Sequence, residues 1–199
     1  TADMIEEAQK PVDHPWLSEN FDEPVLITVG RLTKNKDHQT LLEAFRLMND
    51  TVPSRLLILG EGPERVSLEK IIAETDLADR VQLPGFVDTP WAWMAKSSLF
   101  VLSSFAEGSG NVLTEAMAVA TPVVSTDCPS GPSEMLDGGR IAPLVPVGDA
   151  KALAAACLDV LNSGIAASLL DEAVAPFKAE VAAKHYLAFM NVGVPSSTY

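Results

Sequence analysis

Two glutamates, Glu107 and Glu115, bracket the small-residue run "GSGN" in "SSFAEGSGNVLTEAMA". The text before the run reads as buried strand and the text after it as helix, so the carboxylates flank a strand-to-helix turn. Gly108 and Gly110 permit positive φ and close backbone approach at that turn. A helix starting near Asn111 aims its free N–H groups at the strand end, which makes an anion site. Glu115 lies about one turn into the helix, and helical side chains lean toward the N-terminus. Its carboxylate then reaches a diol beside a phosphate held at the helix start, and it can accept from two hydroxyls, as a ribose offers. Glu107, across the same pocket, is placed to accept from a second sugar or to oppose developing positive charge. Glutamate pairs at this spacing are common by chance, and an exposed helix residue is the bland alternative for Glu115. The position around a glycine-rich turn is what makes this pair informative.

A second constellation lies upstream, in "VGRLTKNKDHQTLLEAF". Gly30 ends a strand, and Asp37 is placed to cap the following helix. Arg31 and Lys36 fall in the loop between them. Two cations with a helix N-terminus behind them suit a diphosphate. Taken alone, the segment reads as readily as a solvated basic loop. Neither a G-x-G-x-x-G nor a P-loop accompanies it, so nicotinamide and Walker-type nucleotide binding lose their usual support.

These loops need a frame. Short apolar runs occur at 25–30, 55–60, 80–85, 99–104, 121–126 and 142–147. Helical patterns lie between them. "HQTLLEAFRLMN" puts Leu41, Leu42, Phe45 and Met48 on one face; "ERVSLEKIIAET" carries a rougher stripe of Val66, Leu68, Ile71 and Ile72; "DAKALAAACLDVLN" repeats Leu153, Cys157, Val160 and Leu161. Continuous apolar strands alternating with amphipathic helices predict an α/β, Rossmann-like, doubly wound parallel sheet of about six strands with helices on both faces. Ligands of such sheets bind beyond the carboxyl ends of the strands. That singles out loops 30–37, 60–64, 84–90, 104–111 and 126–133. Residues 1–24 show no period and read as a linker or the end of a preceding domain. Pro176 predicts two helices or one broken helix over "SLLDEAVAPFKAEVAAKHYLAFM", and 191–199 reads as a frayed tail.

The net charge of −13 argues against a nucleic acid or an anionic membrane surface as the main partner, because both demand a basic face. Cys128 and Cys157 have no metal spacing and form no disulfide framework, as expected of reduced thiols in a cytosolic protein. No apolar run approaches the ~18 residues of a membrane span, and no signal-peptide pattern is present. The chain opens on Thr1 rather than Met, from which a fragment or a processed product is expected.

From about residue 24 to 190 the chain resembles the C-terminal, donor-binding domain of a family-4 (group 1) retaining glycosyltransferase of the GT-B fold. The resemblance rests on "VGRLTKNKD…LLEAF", "LLILGEGPER", "DRVQLPGFVD", "LFVLSSFAEGSGNVLTEAMA", "PVVSTDCPSGPSEML" and "PLVPVGD" in that order; "VDHPWL" resembles the interdomain linker. It implies that Arg31 and Lys36 contact the donor diphosphate. The first glutamate of the E-x7-E pattern, Glu107, lies by the transferred sugar, and the second, Glu115, holds the nucleotide ribose. Backbone amides of Ser109, Gly110, Asn111, Val112 and Leu113, beside Gly108, meet the phosphates and sugar, and Gly85, Phe86 and Val87 lie by the base. Glu107, Arg31 and Lys36 are the implied catalytic groups, with no metal and no cofactor. The implied donor is a nucleotide diphosphate sugar, by default UDP-linked, and the acceptor a glycan or lipid-linked sugar. The implied location is the cytoplasm, with peripheral association at the inner face of the membrane.

Three residues depart from the family pattern: Ala120 and Ala142 stand where glycine is usual, and Ser109 where phenylalanine or leucine is common. The "DCPSGPSE" variant resembles bacterial surface-polysaccharide enzymes. The family's acceptor-binding half and its histidine precede this domain, and His14, His38 and His185 do not stand in for that histidine. The expectation is therefore a domain that binds a nucleotide sugar and does not transfer it alone. The alternatives are a stand-alone regulatory or docking module, or a scaffold without ligand. An absent half also predicts that Trp16, Leu17 and the segment near "PFKAEVAAKHYLAFM" leave an exposed apolar patch or are used in dimer or crystal contacts.

Overall fold

The computed structural model describes residues 2–177. The apolar runs form six strands: β1 (Val25–Val29), β2 (Arg55–Leu59), β3 (Val81–Gly85), β4 (Leu99–Leu102), β5 (Val123–Thr126) and β6 (Leu144–Val145). All neighbours pair in parallel, in the order β3-β2-β1-β4-β5-β6. This is the doubly wound order that the alternating pattern predicts. The last three runs overshoot most: β4 ends at Leu102, β5 begins at Val123 and β6 holds only two residues.

The helices are α1 (Ala2–Ala8), α2 (His38–Asn49), α3 (Arg65–Ala73), α4 (Trp91–Ala95), α5 (Asn111–Ala118), α6 (Pro132–Met135), α7 (Ala150–Ser163) and α8 (Ala167–Val174). Successive strand side chains point to opposite faces, so the sheet supports two cores. Leu26, Leu56, Ile58, Val101 and Val124 pack under α2, α3 and α7. Ile27, Leu57, Leu59, Phe100, Leu102 and Val123 pack under α4, α5, α6 and α8. Burial on both faces is why these strands read as continuous rather than alternating apolar text.

Three local readings need correction. Val66 is not on the buried stripe of α3: it is 77% exposed, and Leu68 and Ile72 face the core. The segment read as irregular contains α1, which lies against α4, and a 3-10 turn at Pro15–Leu17. Trp16 and Leu17 do not form an exposed patch; both pack into the second core, and the Arg55 guanidinium sits 5.4 Å from the Trp16 ring centre. At the other end α8 gives way to a 3-10 turn at Ala175–Phe177, where Pro176 predicts a break. Residues 178–199, with His185 and the predicted tail, lie outside the described residues.

The two alanines at glycine positions differ in consequence. Ala120 has φ 61°, a left-handed conformation that costs an L-residue about 1–2 kcal/mol. Ala142 is buried with no such backbone demand.

Candidate functional site

Strand order reverses between β1 and β4, so the loops that follow these two strands face one crevice at the carboxyl edge of the sheet. They are the loops that carry Arg31, Lys36 and Glu107. Backbone contacts join them: Phe105 N–H donates to the Asn35 carbonyl at 2.8 Å, and Ser103 Oγ donates to the Lys36 carbonyl at 2.8 Å.

After β1 the chain passes Gly30 and Arg31, makes a 3-10 turn over Lys34–Lys36 and enters α2. Asp37 adopts φ 47°, ψ 48°, and its carboxylate accepts from Thr40 N–H at 3.3 Å. The predicted cap is therefore present, and it engages one of the amides at the helix start. Next to it His38 is buried. Burial, and then the nearby Lys36 ammonium, push its pKa down to about 4. The β2 loop lies very close, because a side chain on Gly60 would overlap the Gly30 carbonyl oxygen. Leu32 N–H completes the contact by donating to the Glu61 carbonyl at 2.9 Å.

After β4 the chain runs through Ser103 and Ser104 to Glu107. The Lys36 ammonium holds both Glu107 carboxylate oxygens, at 2.7 and 2.8 Å. The side chains are 18% and 7% exposed, so this pair is largely removed from water. Ser104 Oγ also donates to Glu107 Oε1, and the Ser104 carbonyl is fixed by Thr126 Oγ1 at 2.7 Å. Neighbouring Cys128 has its thiol pKa pushed up, first by burial and then by the Glu107 carboxylate.

Helix α5 begins differently. Gly110 takes φ 61°, and no side chain caps the helix. Leu113 N–H donates to the Gly110 carbonyl at 2.9 Å, so its amide is already used, and its side chain is buried in the core. Of the predicted amide row, Leu113 is thus the one with no free N–H. Gly131 follows the loop closely: a side chain there would lie 3.0 Å from the Ser109 carbonyl oxygen. Gly108 is exposed in open space without positive φ, so only Gly110 has the conformation expected of both glycines. Glu115, half-buried one turn along, accepts from Trp91 Nε1 at 3.1 Å.

Arg31 is exposed and forms no ion pair among the described residues. It shares a cavity of about 400 Å³ with Val29, Gly30, Leu59, Phe86 and Val87. Phe86 presents its ring to solvent, 72% exposed, just beyond Gly85 at the end of β3. The predicted residues therefore fall into a Lys36–Glu107 clasp, an Arg31–Phe86–Val87 hollow, and the open start of α5 with Glu115. Trp91 and Ser104 escaped notice in the sequence. Only the aromatic cluster "WAW" after Pro90 hinted at the first, and nothing marked the second.

Among the described residues no single helix is long and apolar enough to cross a membrane.

Against known proteins, the family described as "Glycosyl transferases group 1" matches residues 23–163. The N-acetylgalactosamine-N,N'-diacetylbacillosaminyl-diphospho-undecaprenol 4-alpha-N-acetylgalactosaminyltransferase of Campylobacter jejuni is 37% identical over 146 residues, covering 73% of this chain and 38% of that protein. The lipopolysaccharide core biosynthesis glycosyltransferase LpsE of Rhizobium meliloti is 35% identical over 145 residues, covering 73% of this chain and 42% of that protein. The crystal structure of the pneumococcal O-GlcNAc transferase GtfA in complex with UDP and GlcNAc has a TM-score of 0.66 at 26% identity, covering 80% of this chain and 35% of that one. The chain spans less than half the length of each of these proteins.

Proposed function

The chain belongs to the group 1 glycosyl transferases, and from that premise we propose that it is the nucleotide-sugar-binding half of a retaining glycosyltransferase. In this reading it holds a nucleotide diphosphate sugar, UDP-linked by default. Transfer goes to a glycan or lipid-linked acceptor presented by a second, N-terminal half, and this half alone is inactive. Residues 1–24 then serve as the linker between the halves. The reaction belongs in the cytoplasm, beside the inner face of the membrane when the acceptor is lipid-linked.

The observation that carries the reading is the uncapped start of α5, which opens beside a clasp of Lys36 and Glu107 at the strand-order switch point. Free amides and a partly buried cation are complementary to a diphosphate. As the bond from the anomeric carbon to the β-phosphate oxygen breaks, negative charge builds on the leaving diphosphate. Arg31, Lys36 and the amides of Ser109 to Val112 stabilise that charge without needing to reorganise, often the largest catalytic term. Glu107 lies where the sugar emerges and Glu115 receives the ribose. Phe86 and Val87 flank the base in the hollow that Arg31 shares. Relatives named for undecaprenol-linked and lipopolysaccharide sugars support a surface-glycan acceptor.

Calorimetric titration of uridine, UDP and a panel of UDP-sugars tests the reading. UDP and a UDP-sugar are expected to bind and uridine barely. Arg31→Ala is expected to cost ~1.5–3 kcal/mol of UDP affinity, the range for a charge-assisted hydrogen bond. Equal binding of uridine and UDP would sink the diphosphate assignment.

A further inference from the structure

We propose that Trp91 is a positioning residue: its indole N–H holds the Glu115 carboxylate in the rotamer that receives a vicinal diol, the ribose of a nucleoside diphosphate. The inference rests on the nucleotide-sugar reading above and deepens it.

Trp91 and Glu115 belong to different elements. Trp91 is the first residue of α4, and Glu115 lies in the second half of α5. The bond between them, Nε1 to Oε2 at 3.1 Å, is partly buried. The Trp91 ring itself is packed against the second core, which includes Met94, Leu113, Ala116 and Met117, so the donor is anchored rather than swinging. Both residues line one cavity of about 400 Å³ with Met4, Asn111, Thr114 and Phe177. Asn111 is the first residue of α5, so this cavity runs from the carboxylate to the helix start where the phosphate is proposed to sit.

The identity of the donor matters. An indole N–H is neutral and donates once. It fixes one carboxylate oxygen and leaves Oε1, with the remaining lone pair of Oε2, to accept from hydroxyls. A lysine or arginine at this place would occupy both oxygens, as Lys36 does at Glu107. Among the described residues Glu115 forms no ion pair, so the indole is what orders it. A glutamate side chain on a helix surface otherwise samples several rotamers, and ordering it on binding costs affinity. A pre-ordered acceptor spares that cost for ligands that carry the diol and for no others.

The test titrates UDP, 2′-deoxy-UDP and inorganic pyrophosphate into the full chain and into Trp91→Phe, which keeps the ring's packing and removes the donor. The intact chain is expected to prefer UDP over 2′-deoxy-UDP by about tenfold. In Trp91→Phe that preference is expected to collapse to about twofold, with pyrophosphate affinity unchanged. A purely structural role, in which a buried indole merely finds a partner, predicts equal weakening of all three ligands, and that result overturns the proposal. So does a variant that keeps the full preference for the ribose. If the intact chain itself shows no preference, the assignment of Glu115 to the ribose fails first and the positioning role falls with it. Should Trp91→Phe not fold, indole N–H exchange on the unmutated chain gives a second readout. The Trp91 indole proton is expected to exchange more slowly with UDP bound than with pyrophosphate bound, and identical protection overturns the proposal.

Discussion

The β1–α2 and β4–α5 junctions leave adjacent strands, face the same crevice and share the sequence logic of glycine, charge and helix start. They differ in how far the chain's own side chains engage them. At β1–α2 Asp37 caps its own helix and Lys36 is clasped by Glu107, while Arg31 and Lys34 form no ion pair among the described residues. At β4–α5 the helix begins on a left-handed glycine without a side-chain cap, and Glu115 is held by a neutral donor. An anion at β1–α2 must therefore share Lys36 with Glu107, whereas at β4–α5 it meets amides that no side chain caps. What decides is whether the chain's own side chains have already satisfied the groups a ligand would use.

The contrast can be broken most forcefully at the clasp. Lys36→Ala leaves the Glu107 carboxylate largely buried with only Ser104 as donor, and is expected to lower stability to urea by ~3 kcal/mol, the scale for breaking a buried pair. Lys36→Ala combined with Glu107→Ala should recover more than half of that loss. Glu115→Ala, with no buried cation to strand, is expected to cost under ~1 kcal/mol. Additive losses at Lys36 and Glu107 would show that the clasp is not coupled and that the two junctions do not differ in this way.

The buried His38 at the start of α2 also predicts a pH dependence. His38 has its pKa depressed from 6.5 to about 4, by burial first and the Lys36 ammonium second. Between those values the unfolded chain binds a proton that the folded chain refuses. The contribution of His38 to stability is thus complete above about pH 6.5 and is lost as pH falls toward 4, to a total of ~3 kcal/mol. Following the imidazole Cε1–H resonance with pH measures the shift directly. A midpoint near 6.5 would mean that water reaches the start of α2.

The cap gives a smaller effect than the clasp or the histidine. Asp37→Ala loses the bond to Thr40 N–H and places alanine at a left-handed position, for an expected cost of about 1–2 kcal/mol in thermal or urea unfolding. Asp37→Asn keeps both the acceptor and tolerance of that conformation, and is expected to change stability by less than ~0.5 kcal/mol. Equal losses would place the value of Asp37 in its charge rather than in the cap.

Much of this molecule was legible in advance. The apolar runs and amphipathic stripes located six strands and the longer helices because burial on two faces leaves a periodic trace in the residues themselves. Asp37 before α2, and glycine before Asn111, were readable because caps and left-handed turns are local chemistry. Helix α1 and the packing of Trp16 and Leu17 were not, because their order comes from the surface they lie on rather than from any period in "KPVDHPWLSEN". Ala120 is an intermediate case. The departure from glycine was visible, and only its φ of 61° shows that it is strained.

By itself, then, the sequence determined the order of elements, the class of sheet and the residue types gathered at its carboxyl edge. Tertiary structure alone decided which of those residues meet. Lys36 and Glu107 are separated by 71 positions, and Trp91 and Glu115 by 24. The first pair forms because β1 lies beside β4 with Leu26 opposite Leu99, which brings two loops to one height above the sheet. The second forms because α4 and α5 share a core. No local period encodes either meeting, since hydrophobic patterning reports which face of an element is buried and carries no information about what that face lies against.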